Sequence, residues 1–177
     1  MAKVIVVDEQ RCLGCKSCVL ECALAHSEAK TLVAAIAAGV RPQPRVHVEP
    51  AEEYCTPLQC RHCEDAPCIA VCPTEAIRRS GDDQPVLLDR ERCIGCKCCI
   101  FICPFGVIQM SRDGKAAVKC DLCAERTAAG RDPACVAACP TGALRFVELD
   151  EELKRRRREA AERVRPVRLA VRSGRRH

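Results

Sequence analysis

The chain has 177 residues, room for one compact domain or two small ones, and 18 of them are cysteine while three Phe and one Tyr are the whole aromatic set, too few rings for an ordinary core of this size. The longest apolar run, residues 32–40, falls far short of a bilayer span, which argues against direct membrane insertion. The formal charge of +5 divides unevenly: residues 1–153 carry 18 Lys/Arg against 22 Asp/Glu, and residues 154–177 carry 11 against 2, with no aromatic stacking platform to suggest nucleic acid as a partner.

In chain order, residues 4–7 read as a strand leading straight into Cys12. Residues 1–8 show no charged n-region, apolar h-region or twin arginine, so a cytoplasmic location is expected. A first cysteine tetrad follows: Cys12, Cys15, Cys18 and Cys22. Residues 23–54 read as an insert, with an Ala-rich helix over 28–38, a stop at Gly39, and a strand over 45–49. The second tetrad is Cys60, Cys63, Cys68 and Cys72. A turn at 80–82 and a strand at 86–88 then form a hairpin entering the third tetrad, Cys93, Cys96, Cys99 and Cys103. Residues 107–110, 113–114 and 116–118 repeat that plan before the fourth tetrad, Cys120, Cys123, Cys135 and Cys139. Residues 144–147 are expected to pair with residues 4–7. Residues 72–77, 103–108 and 139–144 are three versions of one Cys-Pro unit, in which a short helix is expected to start at the cysteine and an apolar strand to follow. Residues 151–177 read as a basic tail, helical or disordered, either solvated or docking on an acidic partner.

The first and third tetrads have the spacing C-x2-C-x2-C-x3-C. A [4Fe–4S] cube needs a soft thiolate on each iron, and three cysteines at i, i+3 and i+6 let one curled loop hold three corners. The fourth then reaches a second cube. Gly14 and Gly95 allow the loop backbone to approach a bulky inorganic core. A zinc site calls for two separated pairs, a disulfide scaffold for an oxidising compartment, and redox-sensing thiols do not come sixteen in register. Sixteen thiolates at four per cluster imply four [4Fe–4S] clusters. Each oxidised cube with its four thiolates adds about −2, so four of them would bring the formal +5 to about −3.

In the bacterial ferredoxin ligand run the fourth cysteine serves the other cluster of a pair. The repeated units, with that pairing, imply an α+β fold of two ferredoxin-like modules, built of short antiparallel hairpins and short helices around the clusters. Residues 1–22 with 120–150 form an outer module and 55–119 an inner one. Cluster A takes Cys12, Cys15, Cys18 and Cys139; cluster B takes Cys120, Cys123, Cys135 and Cys22. Cluster C takes Cys60, Cys63, Cys68 and Cys103; cluster D takes Cys93, Cys96, Cys99 and Cys72. The inserts at 23–54 and 124–134 either shield a cluster from water or dock a partner.

Four tetrads, the second as C-x2-C-x4-C-x3-C-P and the fourth with an eleven-residue gap, resemble the four-cluster ferredoxin-like electron-transfer subunits. Those serve the dimethyl-sulfoxide-reductase and formate-dehydrogenase class, hydrogenases and carbon monoxide dehydrogenase. Residues 22–26 and 57–68 look most like carbon-monoxide-dehydrogenase-associated and hydrogenase-linked members, and tungsten aldehyde oxidoreductase small subunits are similar too. The resemblance implies a non-catalytic carrier that passes single electrons between a catalytic subunit of one of these types and a second redox protein. The alternative is a conductive scaffold that self-associates or assembles a larger complex. The sequence departs from the pattern at Ala23, which follows Cys22 in place of proline, and in two supernumerary cysteines, Cys55 and Cys98. Cys98 adjoins Cys99 and so admits a swapped register. His62, between two ligand cysteines, is either a hydrogen-bond donor to a cluster or a surface residue. Lys16, Arg61, Lys97 and Lys119 beside ligands either raise local potentials or are plain solvated charges.

Overall fold

A computed structural model of the chain describes residues 3–164. Its elements are β1 (Lys3–Val7), α1 (Ser17–Ala25), α2 (Leu32–Ala37), β2 (Val46–Pro50), β3 (Cys55–Gln59), α3 (Pro67–Ala70), β4 (Ile77–Arg78), β5 (Leu87–Leu88), α4 (Cys98–Ile102), β6 (Gln109–Met110), β7 (Ala117–Val118), α5 (Ala124–Ala128), α6 (Ala134–Ala137), β8 (Leu144–Glu148) and α7 (Leu149–Arg163). The strands form four two-stranded antiparallel ladders, β1–β8, β2–β3, β4–β5 and β6–β7.

The β-branched run 4–7 suits a strand, and its partner lies near the other end of the chain. The register runs from Lys3 opposite Glu148 to Val7 opposite Leu144. Closing β1 on β8 brings the first tetrad back to the fourth, and α1 packs against α6. The second and third tetrads meet more locally, through α3 against α4. Two separate cores result. One gathers Ile5, Val46, Val48, Leu122 and Leu144 with Cys18, Cys22, Cys120 and Cys135. The other gathers Ile77, Val86, Ile108 and Ala117 with Cys68 and Cys99. Cysteine thus replaces the missing aromatics in both.

The helix expected to open at each Cys-Pro lies on the other side of the cysteine. α3, α4 and α6 all precede Cys72, Cys103 and Cys139, and a turn follows each Cys-Pro. Proline excludes the helical region for the residue before it, and Cys103 accordingly sits at φ −70°, ψ 114°. Proline here ends a helix instead of starting one. Cys22 shows the converse: Ala23 imposes no such limit, and α1 continues through Cys22 to Ala25.

In the insert, α2 is shorter than the expected 28–38 because Thr31 caps it, its hydroxyl accepting from the Ala34 amide at 3.2 Å, while Lys30 before it adopts φ 55°. β2 pairs with β3 across a turn at residues 51–54, past the expected end of the insert, and Val46 and Val48 face the first core. The expected insert is therefore one arm of a hairpin laid over that core. The basic tail begins as α7, with Asp150, Glu151 and Glu152 in its first turn, where the helix dipole favours acids. Residues 165–177 of the tail lie outside the described residues.

Candidate metal centres

Each tetrad curls through left-handed backbone. Gly14 and Gly95 sit at φ +66°, and Lys16 and Lys97 after them at 60° and 69°. His62 (49°), Leu122 (55°) and Cys123 (51°) play the same part in the second and fourth tetrads. A side chain at Gly95 would meet the Lys115 carbonyl at 2.8 Å and one at Gly14 would meet Cys55 Sγ at 2.9 Å, so both glycines are needed for close approach as well as for curl.

The curled loops bring thiols of different tetrads together. A pocket next to β8 is lined by Cys12, Cys15, Cys18 and Cys139, with Leu13, Val48, Pro57 and Leu144 around them. A second is lined by Cys60, Cys63, Cys68 and Cys103, with Val86, Phe105, Val107 and Ile108. Burial, then crowding by Cys22, Cys120 and Cys123, pushes the Cys135 thiol up. Burial, then Cys93 and Cys96, pushes Cys99 up to about 11, with Cys68 and Cys72 adding to it. Cys18, raised to about 11 mainly by burial, is likewise crowded by Cys139, Cys15 and Cys12. Thiols so placed resist ionising together unless a metal takes the place of their protons. Neighbouring groups also touch electrostatically, Cys135 with Cys18 and Cys99 with Cys68.

Polar groups aim at these thiols. The amides of Arg45, His62, Ala117 and Leu122 donate to Cys22, Cys60, Cys93 and Cys120 at 3.3–3.4 Å. The hydroxyls of Thr74 and Thr141 lie 3.9 and 3.7 Å from Cys72 and Cys139. Both ring nitrogens of His62 are buried without a partner among the described residues, and the ring lines the second pocket. A four-thiol, otherwise apolar pocket with an orphaned donor in its wall fits an iron–sulfur cube with its inorganic sulfides. Cys98 is exposed, with its thiol beside that of Cys96, while Cys55 packs against the first core over Gly14.

One cluster of residues has no counterpart in the sequence reading. His26 Nε2 is 3.0 Å from Asp121 Oδ1, and Arg45 donates to Asp121 Oδ2 at 2.5 Å. His26 Nδ1 lies 2.7 Å from the Cys22 carbonyl and 3.7 Å from its sulfur. Burial opposes charge on both partners, but the His26 and Arg45 contacts hold the Asp121 carboxyl well below its usual range. His26, Asp121 and Cys123 also converge closely enough for a cation, yet Arg45 already neutralises Asp121, which marks an ion-pair strap between the insert and the fourth tetrad. The partners are 76 and 95 positions apart, so spacing carries no signal of them.

The 4Fe-4S dicluster domain family matches residues 51–149. The chain belongs to that family. It is similar to an iron-sulfur protein of Rhodospirillum rubrum, 42% identical over 159 residues, covering 83% of each chain. It is 41% identical over 154 residues to the thiosulfate reductase electron transfer subunit PhsB of Salmonella typhi, covering 84% of this chain and 77% of that one. The electron transport protein HydN of Escherichia coli K12 is 38% identical over 182 residues, covering 90% of this chain and 98% of that one. Among solved structures, a chain of the active site complex BamBC of benzoyl coenzyme A reductase with benzoyl-CoA matches with TM-score 0.45 and 22% identity, covering 90% of this chain and 89% of that one. The dicluster domain thus binds [4Fe–4S] clusters, through short hairpins and helices of the α+β kind expected. Among the described residues, no helix is long and apolar enough to cross a membrane.

Proposed function

We propose that this dicluster-family chain is an electron-transfer subunit that holds four [4Fe–4S] clusters and carries single electrons between the catalytic subunit of an oxidoreductase complex and a second redox protein. What supports the reading is the convergence of thiols from different tetrads: two pockets each take three cysteines of one tetrad and one of another, and Cys135 and Cys99 are each crowded by thiols of two tetrads. The ligand sets are Cys12, Cys15, Cys18 and Cys139; Cys120, Cys123, Cys135 and Cys22; Cys60, Cys63, Cys68 and Cys103; and Cys93, Cys96, Cys99 and Cys72. Each bound cluster supplies one-electron redox chemistry and none of the bond-breaking chemistry of a substrate.

The residues around the thiols then bind, shield and tune. Amide and hydroxyl donors to sulfur favour the more negative state, and apolar walls such as Val48, Leu144, Val107 and Ile108 keep water off. The outer module comprises 1–22 and 120–150 and the inner one 55–119, with the hairpin of the 23–54 insert as a cover on the first. The burial of Val46 and Val48 supports a covering role for that insert. The setting is reducing and cytoplasmic, where thiols stay available for cluster assembly. The partner is of the kind that the thiosulfate reductase electron transfer subunit serves, with hydrogenase, aldehyde oxidoreductase, formate dehydrogenase and carbon monoxide dehydrogenase types as further members of the class.

The test is anaerobic purification of the loaded chain with its co-purifying catalytic subunit. Substrate addition should bleach the visible absorbance of the complex, whereas the isolated chain should leave substrate untouched. Turnover by the chain alone would contradict the carrier reading.

A further inference from the structure

Four basic residues adjoin proposed ligands, and the structure separates them. Lys16, Arg61 and Lys97 are exposed, so solvent and salt screen their charge. Lys119 is 3% exposed. Its Nζ donates to the Val86 carbonyl at 2.5 Å and to the Cys120 carbonyl at 2.8 Å. Val86 belongs to the second core and Cys120 to the first, so the ammonium sits at the seam between the two halves of the molecule. Among the described residues, no carboxylate stands within ion-pair distance of it. An ammonium taken out of water without a counter-ion carries a heavy desolvation penalty. It touches both sides of the seam: Val86 lines the pocket of Cys60, Cys63, Cys68 and Cys103, and Cys120 is a thiol of the other group.

We propose that Lys119 is a positioning residue for electron transfer, a fixed positive charge shared by the Cys120 and Cys68 thiol groups whose counter-charge is the clusters held there. The inference rests on the four-cluster reading. One-electron reduction adds one negative charge at a cluster and requires no proton, and a buried cation between two such sites stabilises the reduced state of both. Lys119 therefore raises the reduction potentials of the two middle sites, those of Cys22, Cys120, Cys123 and Cys135 and of Cys60, Cys63, Cys68 and Cys103. An electron crossing the seam between modules thus meets matched stations on either side.

The experiment loads the full chain and its Lys119→Gln and Lys119→Arg variants with iron and sulfide under anaerobic conditions. Iron content is measured first, and each protein is then titrated against potential with electron paramagnetic resonance as the readout. Lys119→Gln should retain the parental iron while two of its clusters become harder to reduce, by about tenfold in the reduced-to-oxidised ratio at a fixed poise, or about 59 mV for one electron. The other two clusters should move much less, and Lys119→Arg should titrate like the parent. Unchanged potentials in a fully loaded Lys119→Gln protein would overturn the inference and leave the four-cluster reading standing. A parent chain with only half the iron would instead overturn that reading, and the inference with it. Should Lys119→Gln fail to load, Lys119→Arg decides: full iron and parental potentials support the need for charge, and failure to load would show that shape alone matters there.

Discussion

Cys98 and Cys99 are neighbours in sequence that differ in exposure. Cys99 is 7% exposed and crowded by Cys93, Cys96, Cys68 and Cys72, while Cys98 lies at the surface. Replacing Cys99 with Ser should therefore remove about four irons per chain, and replacing Cys98 should remove none, as colorimetric iron analysis would show. Equal losses would mean the register is shared between them. Gly14 offers a second test at this scale. Ala there suffers the left-handed backbone penalty of about 1–2 kcal/mol, plus the clash of its Cβ with Cys55 Sγ. Thermal midpoints should fall in Gly14→Ala and recover in part when Cys55→Ala is added, because the clash goes and the backbone strain stays. The cysteine spacing made ligand chemistry legible because i, i+3 and i+6 are local facts. The burial of Lys119 and the Arg45–Asp121–His26 strap were not, because each depends on how distant segments pack.

Among the elements, the β1–β8 ladder could be read from two short runs rich in apolar residues, 4–7 and 144–147, the first of them wholly β-branched. The Cys-Pro helices could not be placed the same way. Proline is compatible both with the first turn of a helix and with its end, and only the extended backbone at Cys103 distinguishes the two. Ala23→Pro is the corresponding experiment. It should cut α1 after Cys22, removing the ring partners that His26 offers, and lower stability by a few kcal/mol on the scale of about 3 for proline within a helix. An unchanged thermal midpoint would count against the account. α7 is held differently. Its Glu152 is 4% exposed and takes Arg155 and Arg156 from its own helix and Arg145 from β8. Glu152→Ala should free α7 from β8 and speed proteolytic cleavage within it while leaving iron content intact, since no proposed ligand lies beyond Cys139. Loss of iron in that variant would give the tail a structural role in ligation.

At the scale of the whole molecule, two cores stand where one aromatic-rich core would be expected, and cysteines form much of both. Cys18, Cys22, Cys120 and Cys135 lie in the first, Cys68 and Cys99 in the second. Four ladders of two to five residue pairs do not stabilise a chain of this length unaided, so metal and fold depend on each other. Removing iron with a chelator under reducing conditions should abolish most of the circular dichroism signal, and a folded apo-chain would contradict that dependence. The halves meet at Lys119, while the Asp121 strap ties the insert to the fourth tetrad within one of them, which makes the chain a pathway closed from both ends instead of a row of beads. The most direct test of the central claim is the iron and acid-labile sulfide content of the anaerobically prepared chain. Four clusters shared between paired tetrads predict about sixteen of each per chain, and about eight of each would contradict the account.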